Sequence, residues 1–207
     1  MATGSRKRRR ATRARADNTG RVPYRFTADQ VLAMVAAGIF PDDEDVELWD
    51  GVIYLMTKHE PHNAIVGNLA NLVRALTPAG YFVREEKSAA CDEHSLPEPD
   101  IAVCVGGVFD YLPNVAPLGK MSLVIEVNAS TERADHVDKP AGYAAAGVPT
   151  YWIVDVEKRR VVVCTAPSPG GEYEQHVTRR PGDLLDVVIG GELRGQLAVS
   201  DLFPPAP

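Results

Sequence analysis

Apolar and polar residues alternate along this chain with two different periods, and the period changes mark its elements. Thr27-Ala28-Asp29-Gln30 reads as a capping box, opening a short helix through Val31, Leu32 and Val35 towards Gly38. An acidic loop runs from Pro41 to Asp45. Val46-Glu47-Leu48-Trp49 and Val52-Ile53-Tyr54-Leu55-Met56 then flank Asp50-Gly51, a dipeptide that suits a type I′ hairpin turn. From His62 onward Ile65, Leu69, Leu72, Val73 and Leu76 recur at helical spacing, with Gly80 as the stop.

Strand-like runs dominate the second half. Tyr81-Phe82-Val83 begins a strand, a polar stretch and the loop Glu93 to Glu98 follow, and two apolar runs come next, Ile101–Val105 and Met121–Val127. The loop between those runs carries Gly106, Gly107, Pro113 and Pro117. An alanine-rich helix is expected from Asp135 to Ala146. Pro140 fits only its first turn, so the helix should start near Asp138 as N-cap. Thr150–Asp155 lacks alternation, as a strand buried on both faces would. The strand–helix–strand unit at 121–155 implies a parallel pair with a right-handed crossover. Arg160–Cys164, Tyr173–Val177 and Leu184–Ile189 read as a β-meander. The expected fold class is α/β, a mixed central sheet flanked by helices with a C-terminal β-meander.

Composition narrows the setting. The chain has 207 residues, 45% hydrophobic and 24% charged, which suits one domain plus a tail. We expect a basic tail over residues 1–21, a domain over 22–203 and a frayed end over 204–207. No apolar run reaches the roughly 20 residues that span a bilayer, and no apolar segment follows the basic N-terminus as in a secretory signal. Cys91, Cys104 and Cys164 form no CxxC pair, and their odd number argues against a disulfide framework. These features together suggest a cytoplasmic protein without membrane association. Seven of the 22 Lys and Arg residues fall between Arg6 and Arg15, leaving 15 basic residues against 28 acidic ones, a formal −13 for the rest. Such a tail suits phosphate contacts with nucleic acid by counterion release, and equally a solvated extension without a role.

Candidate chemistry centres on Asp100, just ahead of one apolar run, and Glu126, near the end of the next. An ionised carboxylate among apolar neighbours is costly unless a charge or a metal compensates it. Two of them on neighbouring antiparallel strands, with Lys139 nearby, would suit a hard cation such as Mg²⁺ or Mn²⁺ and phosphodiester hydrolysis. The Val127 carbonyl is a further candidate ligand. Glu47 is another acid in an apolar setting that could reach the site, and His62 suits a phosphate contact or a supporting role. Alternatives stay open. Asp100 after Pro99 also suits a loop-edge acceptor of backbone hydrogen bonds, Glu126 and Lys139 suit a buried ion pair without metal, and His62 suits a cap. In His59-Glu60-Pro61-His62 the proline prevents the two histidines from sharing a helix face, which argues against zinc. The absence of GxGxxG, Walker and GxSxG patterns removes nucleotide-fold and α/β-hydrolase readings.

The segments Val46–Gly51 with Met56, His62, Pro99-Asp100-Ile101, Leu123–Thr131, Asp135 with Lys139 and Tyr143, and Gly147–Asp155 occur in an order that resembles the bacterial Uma-two family. That family is a branch of the PD-(D/E)XK nuclease superfamily, and the resemblance covers roughly residues 24–203. It implies a restriction-endonuclease-like core, a divalent metal, and DNA as substrate. It also implies Asp100 and Glu126 as metal ligands and Lys139 as the catalytic lysine, with Glu47 and His62 at further matching positions. One departure stands out: Asn128 occupies the place two after the strand glutamate where the superfamily lysine normally stands. An active endonuclease is therefore weighed against a catalytically weak or inactive nucleic-acid-binding or regulatory protein on the same fold. A homodimer is open, since enzymes that cut both strands often pair.

Overall fold

A computed structural model describes residues 21–41, 44–56, 60–128 and 139–205. Helix α1 spans Ala28–Ala36, and its capping box forms as expected, with Thr27 Oγ1 accepting from Gln30 N–H and Gln30 Oε1 accepting from Thr27 N–H. Strands β1 (Asp45–Trp49) and β2 (Val52–Met56) form the hairpin, and Asp50 and Gly51 both have positive φ, as a type I′ turn requires. Helix α2 runs from Glu60 to Leu76. It ends ahead of Pro78 rather than at Gly80, which instead makes the left-handed turn (φ 84°) into the next strand.

Strands β3 (Tyr81–Glu85), β4 (Ile101–Val105), β5 (Met121–Asn128), β6 (Thr150–Asp155), β7 (Arg160–Pro167) and β8 (Tyr173–Arg179) lie side by side in that order in one mixed sheet. Only β5 and β6 pair in parallel, across the short helix α3 (Lys139–Ala145), which holds Pro140 in its first turn. The expected N-cap Asp138 lies outside the described residues, as do Asp135, His59, residues 1–20 and the last two prolyl-end residues 206–207. The expected meander divides. Strands β7 and β8 extend the main sheet, whereas β9 (Leu184–Ile189) leaves it and pairs with β10 (Glu192–Ala198), which the sequence pattern did not reveal. The cause lies in burial: Leu185, Val187 and Ile189 point together into the core beneath α2, so β9 lies across the sheet rather than along its edge.

The sheet separates two cores. On one face, Ile65, Leu69 and Val73 of α2 pack with Leu185, Val187 and Ile189 of β9 over Ile101, Ile125 and Val127. On the other, Tyr143 and Ala144 of α3 pack with Ala102, Val124, Tyr151 and Tyr173. A satellite cluster of Val31, Leu48 and Leu96 ties the hairpin and α1 to the loop before β4. Trp152, in the middle of β6, is fully buried, in line with a strand covered on both faces. No described helix is long and apolar enough to cross a membrane.

Candidate active site

Register alone brings the two acids together. In the antiparallel β4–β5 ladder Ile101 faces Ile125 and Ala102 faces Val124, so continuing one step sets Asp100 opposite Glu126. Both are buried, at 3% and 6% exposure. Asp100 stands where β4 begins, and its Oδ2 accepts the Val127 N–H at 2.6 Å. The loop-edge role considered from sequence is thus present, and it fixes the carboxylate against β5.

The hairpin and α3 supply the rest. Alternation along β1 sends Leu48 into the satellite cluster, while Glu47 and Trp49 share the opposite face. Paired backbone hydrogen bonds between Leu48 and Leu96 dock β1 beside the segment leading to Asp100. Trp49 meets Tyr143 edge to face, with ring centroids 6.2 Å apart, and lies against Gly142, where no side chain intervenes. This contact brings Glu47 to Lys139, whose Nζ lies 3.0 Å from Glu47 Oε2 and 3.3 Å from Glu126 Oε1. Tyr143, one turn further along α3, donates its hydroxyl to Glu126 Oε1 at 2.6 Å.

His62, in the first turn of α2, closes the other side. Its Nδ1 lies 3.0 Å from the Val127 carbonyl oxygen and its Nε2 3.3 Å from Asp100 Oδ1. The Nε2 contact is an ion-pair approach without hydrogen-bond alignment, and the ring's pKa is raised, chiefly by Asp100 and against the opposing effect of burial. Ligand atoms of His62, Glu86 and Asp100 lie within 4.8 Å of one another.

Burial, the largest influence, pushes the Glu126 carboxyl up to about 7. Asp100 and Glu47 add to that rise, while Lys139 and Tyr143 oppose it. For Lys139, burial acts to lower the pKa but is outweighed by Glu126 and Glu47, so the ammonium is held well above its ordinary range. The site thus gathers more carboxylates than cations in a buried pocket. This surplus of negative charge fits a hard divalent cation, for which Asp100, Glu126 and the Val127 carbonyl offer oxygen donors in place of their present protein partners.

All six residues singled out from sequence converge here. Tyr143 and Glu86 were missed as site residues. The i,i+4 spacing of Lys139 and Tyr143 was a usable signal for the first, whereas Glu86 enters only through β3–β4 pairing, its N–H donating to the Asp100 carbonyl at 3.1 Å. Asn128 is exposed at the end of β5.

Comparison with known proteins gives the family and the fold. A family model, Uma2, described as "Putative restriction endonuclease", matches residues 28–200. Among solved structures the chain is similar to "a putative nuclease belonging to DUF820 from Anabaena variabilis ATCC 29413", with a TM-score of 0.64 and 18% identity, covering 86% of this chain and 97% of that one. At that identity the likeness is one of fold. No curated protein matches. With the family model spanning most of the chain, this protein belongs to the Uma2 family of restriction-endonuclease-like nucleases.

Proposed function

We propose that the protein is a divalent-metal-dependent endonuclease that hydrolyses phosphodiester bonds in DNA. The observation that carries this reading is the position of Lys139 Nζ, between Glu47 and Glu126 on the sheet face where register sets Asp100 opposite Glu126. The lysine displaced from the usual strand position, where Asn128 stands, is supplied instead by α3. This supports the active reading over a binding-only one.

Asp100, Glu126 and the Val127 carbonyl would hold Mg²⁺ or Mn²⁺. When bound, such an ion polarises the scissile phosphate and lowers the pKa of a coordinated water. Lys139, kept cationic by two carboxylates, is unsuited to accept a proton and instead stabilises negative charge developing on the phosphoryl oxygens. Tyr143 fixes the Glu126 carboxylate, Glu47 holds Lys139 in place, and His62 orients Asp100 and the Val127 carbonyl through ring contacts on both sides.

Supercoiled plasmid incubated with the purified chain and Mg²⁺ or Mn²⁺ is expected to be nicked or linearised, and chelator should stop the reaction. Glu126→Gln and Lys139→Met should each lower the rate at least 100-fold with folding retained. Cutting that persists in Glu126→Gln would remove this site from the mechanism.

A further inference from the structure

Two cavities meet at Asn114, in the loop between β4 and β5, and their charges differ. The larger, about 580 Å³, is rimmed by the acids Asp29, Asp92 and Glu93 and would repel a phosphate. The smaller, about 400 Å³, runs along the edge strand β3 and is lined by Phe82, Tyr111, Val108 and Leu112 together with Arg84, Lys87 and Glu85, the last already paired with Arg74. Its volume falls in the range of roughly 300–1,000 Å³ used for small organic groups.

Three features set this second cavity apart. Its aromatic pair is fixed: the Phe82 and Tyr111 ring centroids lie 6.1 Å apart, and the Tyr111 hydroxyl donates to the Val105 carbonyl at 2.5 Å. Its guanidinium keeps one donor spare. Arg84 Nη2 donates to the Ser88 carbonyl, but Nη1 is buried without a hydrogen-bond partner, and Arg84 forms no ion pair among the described residues. Its rim is apolar and exposed, since Val108, Leu112 and the neighbouring Phe109, at 79% exposure, stand in solvent. The strand that lines it leads on towards the active site: Arg84 and Lys87 bracket Glu86, whose N–H donates to the Asp100 carbonyl.

We propose that this cavity is a subsite for one unstacked base of the nucleic-acid substrate, next to the phosphate being cut. The base would lie against Tyr111 and the apolar rim, with Arg84 and Lys87 on its flanking phosphates. Aromatic faces tolerate any base, so the subsite would favour single-stranded, frayed or easily opened positions without reading a sequence. The inference rests on the nuclease reading above and deepens it.

The test uses the full chain in chelator, so that binding is read without turnover. A single-stranded oligonucleotide carrying one 2-aminopurine is titrated with protein, and both fluorescence and anisotropy are followed. Wild type should change the 2-aminopurine emission, and an otherwise identical abasic oligonucleotide should bind roughly tenfold more weakly. Tyr111→Leu and Lys87→Gln, the latter at an exposed position that leaves packing intact, should each weaken binding several-fold, and Tyr111→Leu should remove the emission change. Equal binding of abasic and intact strands, or wild-type behaviour in both folded variants, overturns the proposal. So does a concentration-dependent dimer that Phe109→Asp dissociates while base binding is unaltered, which would give the face to a second copy. Plasmid cutting without an emission change defeats the subsite and leaves the nuclease reading standing. An emission change in a protein that never cuts does the reverse.

Discussion

At the scale of single side chains, exclusion of water sets the protonation of the site. Glu126 is held up to about 7 against an ordinary 4.5, with burial the main cause. A carboxyl whose folded pKa is raised stabilises the fold fully below its unfolded value, and that contribution is lost as pH rises through the folded value. Metal-free protein should therefore lose stability between about pH 4.5 and 7, by an amount on the order of 3 kcal/mol at full effect. Glu126→Gln should melt higher than wild type at pH 8 in chelator, and the gap should close towards pH 4.5. Added Mg²⁺ should raise the melting temperature of wild type and not of the variant. A gap that stays constant with pH would show that the carboxylate is not strained by its surroundings. Much at this scale was legible in the sequence. Asp100 and Glu126 stood out because charged residues beside apolar runs need a compensating partner. Glu86 did not, because it sits in a polar stretch with nothing local to mark it.

At the scale of elements, α3 and the β1–β2 hairpin act as a pair. A Cβ on Gly142 would come within 2.5 Å of Trp49 Cη2 and 2.6 Å of its Cζ2, and Trp49 is itself only 9% exposed. Gly142→Ala gains about 1 kcal/mol in helix propensity, but overpacking against a buried ring costs about 1–3 kcal/mol. The melting temperature should fall, and cleavage should fall further still, because the hairpin that retreats carries Glu47 away from Lys139. Combining it with Trp49→Leu should restore part of the activity by making room. If Gly142→Ala alone cuts plasmid as well as wild type, the hairpin does not position the lysine. The hairpin, the capping box and α2 could be read from turn dipeptides and helical spacing because those signals are local. The departure of β9 from the sheet could not, since Leu185, Val187 and Ile189 would alternate identically in either arrangement. What decides between them is the apolar face of α2, more than a hundred residues earlier in the chain.

At the scale of the whole molecule, charge is divided between a basic leader and an acidic body. Arg6 to Arg15 carries seven cations, and the remainder carries a formal −13. If the leader contacts phosphates, removing residues 1–16 should weaken DNA binding and flatten its salt dependence, by up to about 6 units in the log–log slope if every cation takes part. Plasmid cutting at low salt should persist, because the site lies wholly within the domain. An unchanged slope would leave the leader without a part in binding.

Along β5 two consecutive residues face opposite ways: Glu126 towards Tyr143 and α3, Val127 into the layer beneath α2. Slippage of this strand by a single residue would exchange them, burying a carboxylate among aliphatic side chains and leaving the lysine with Glu47 alone. Competence is therefore all-or-none. A chain with β5 out of register has no assembled centre, and the proposed chemistry waits until both layers have closed around the same strand.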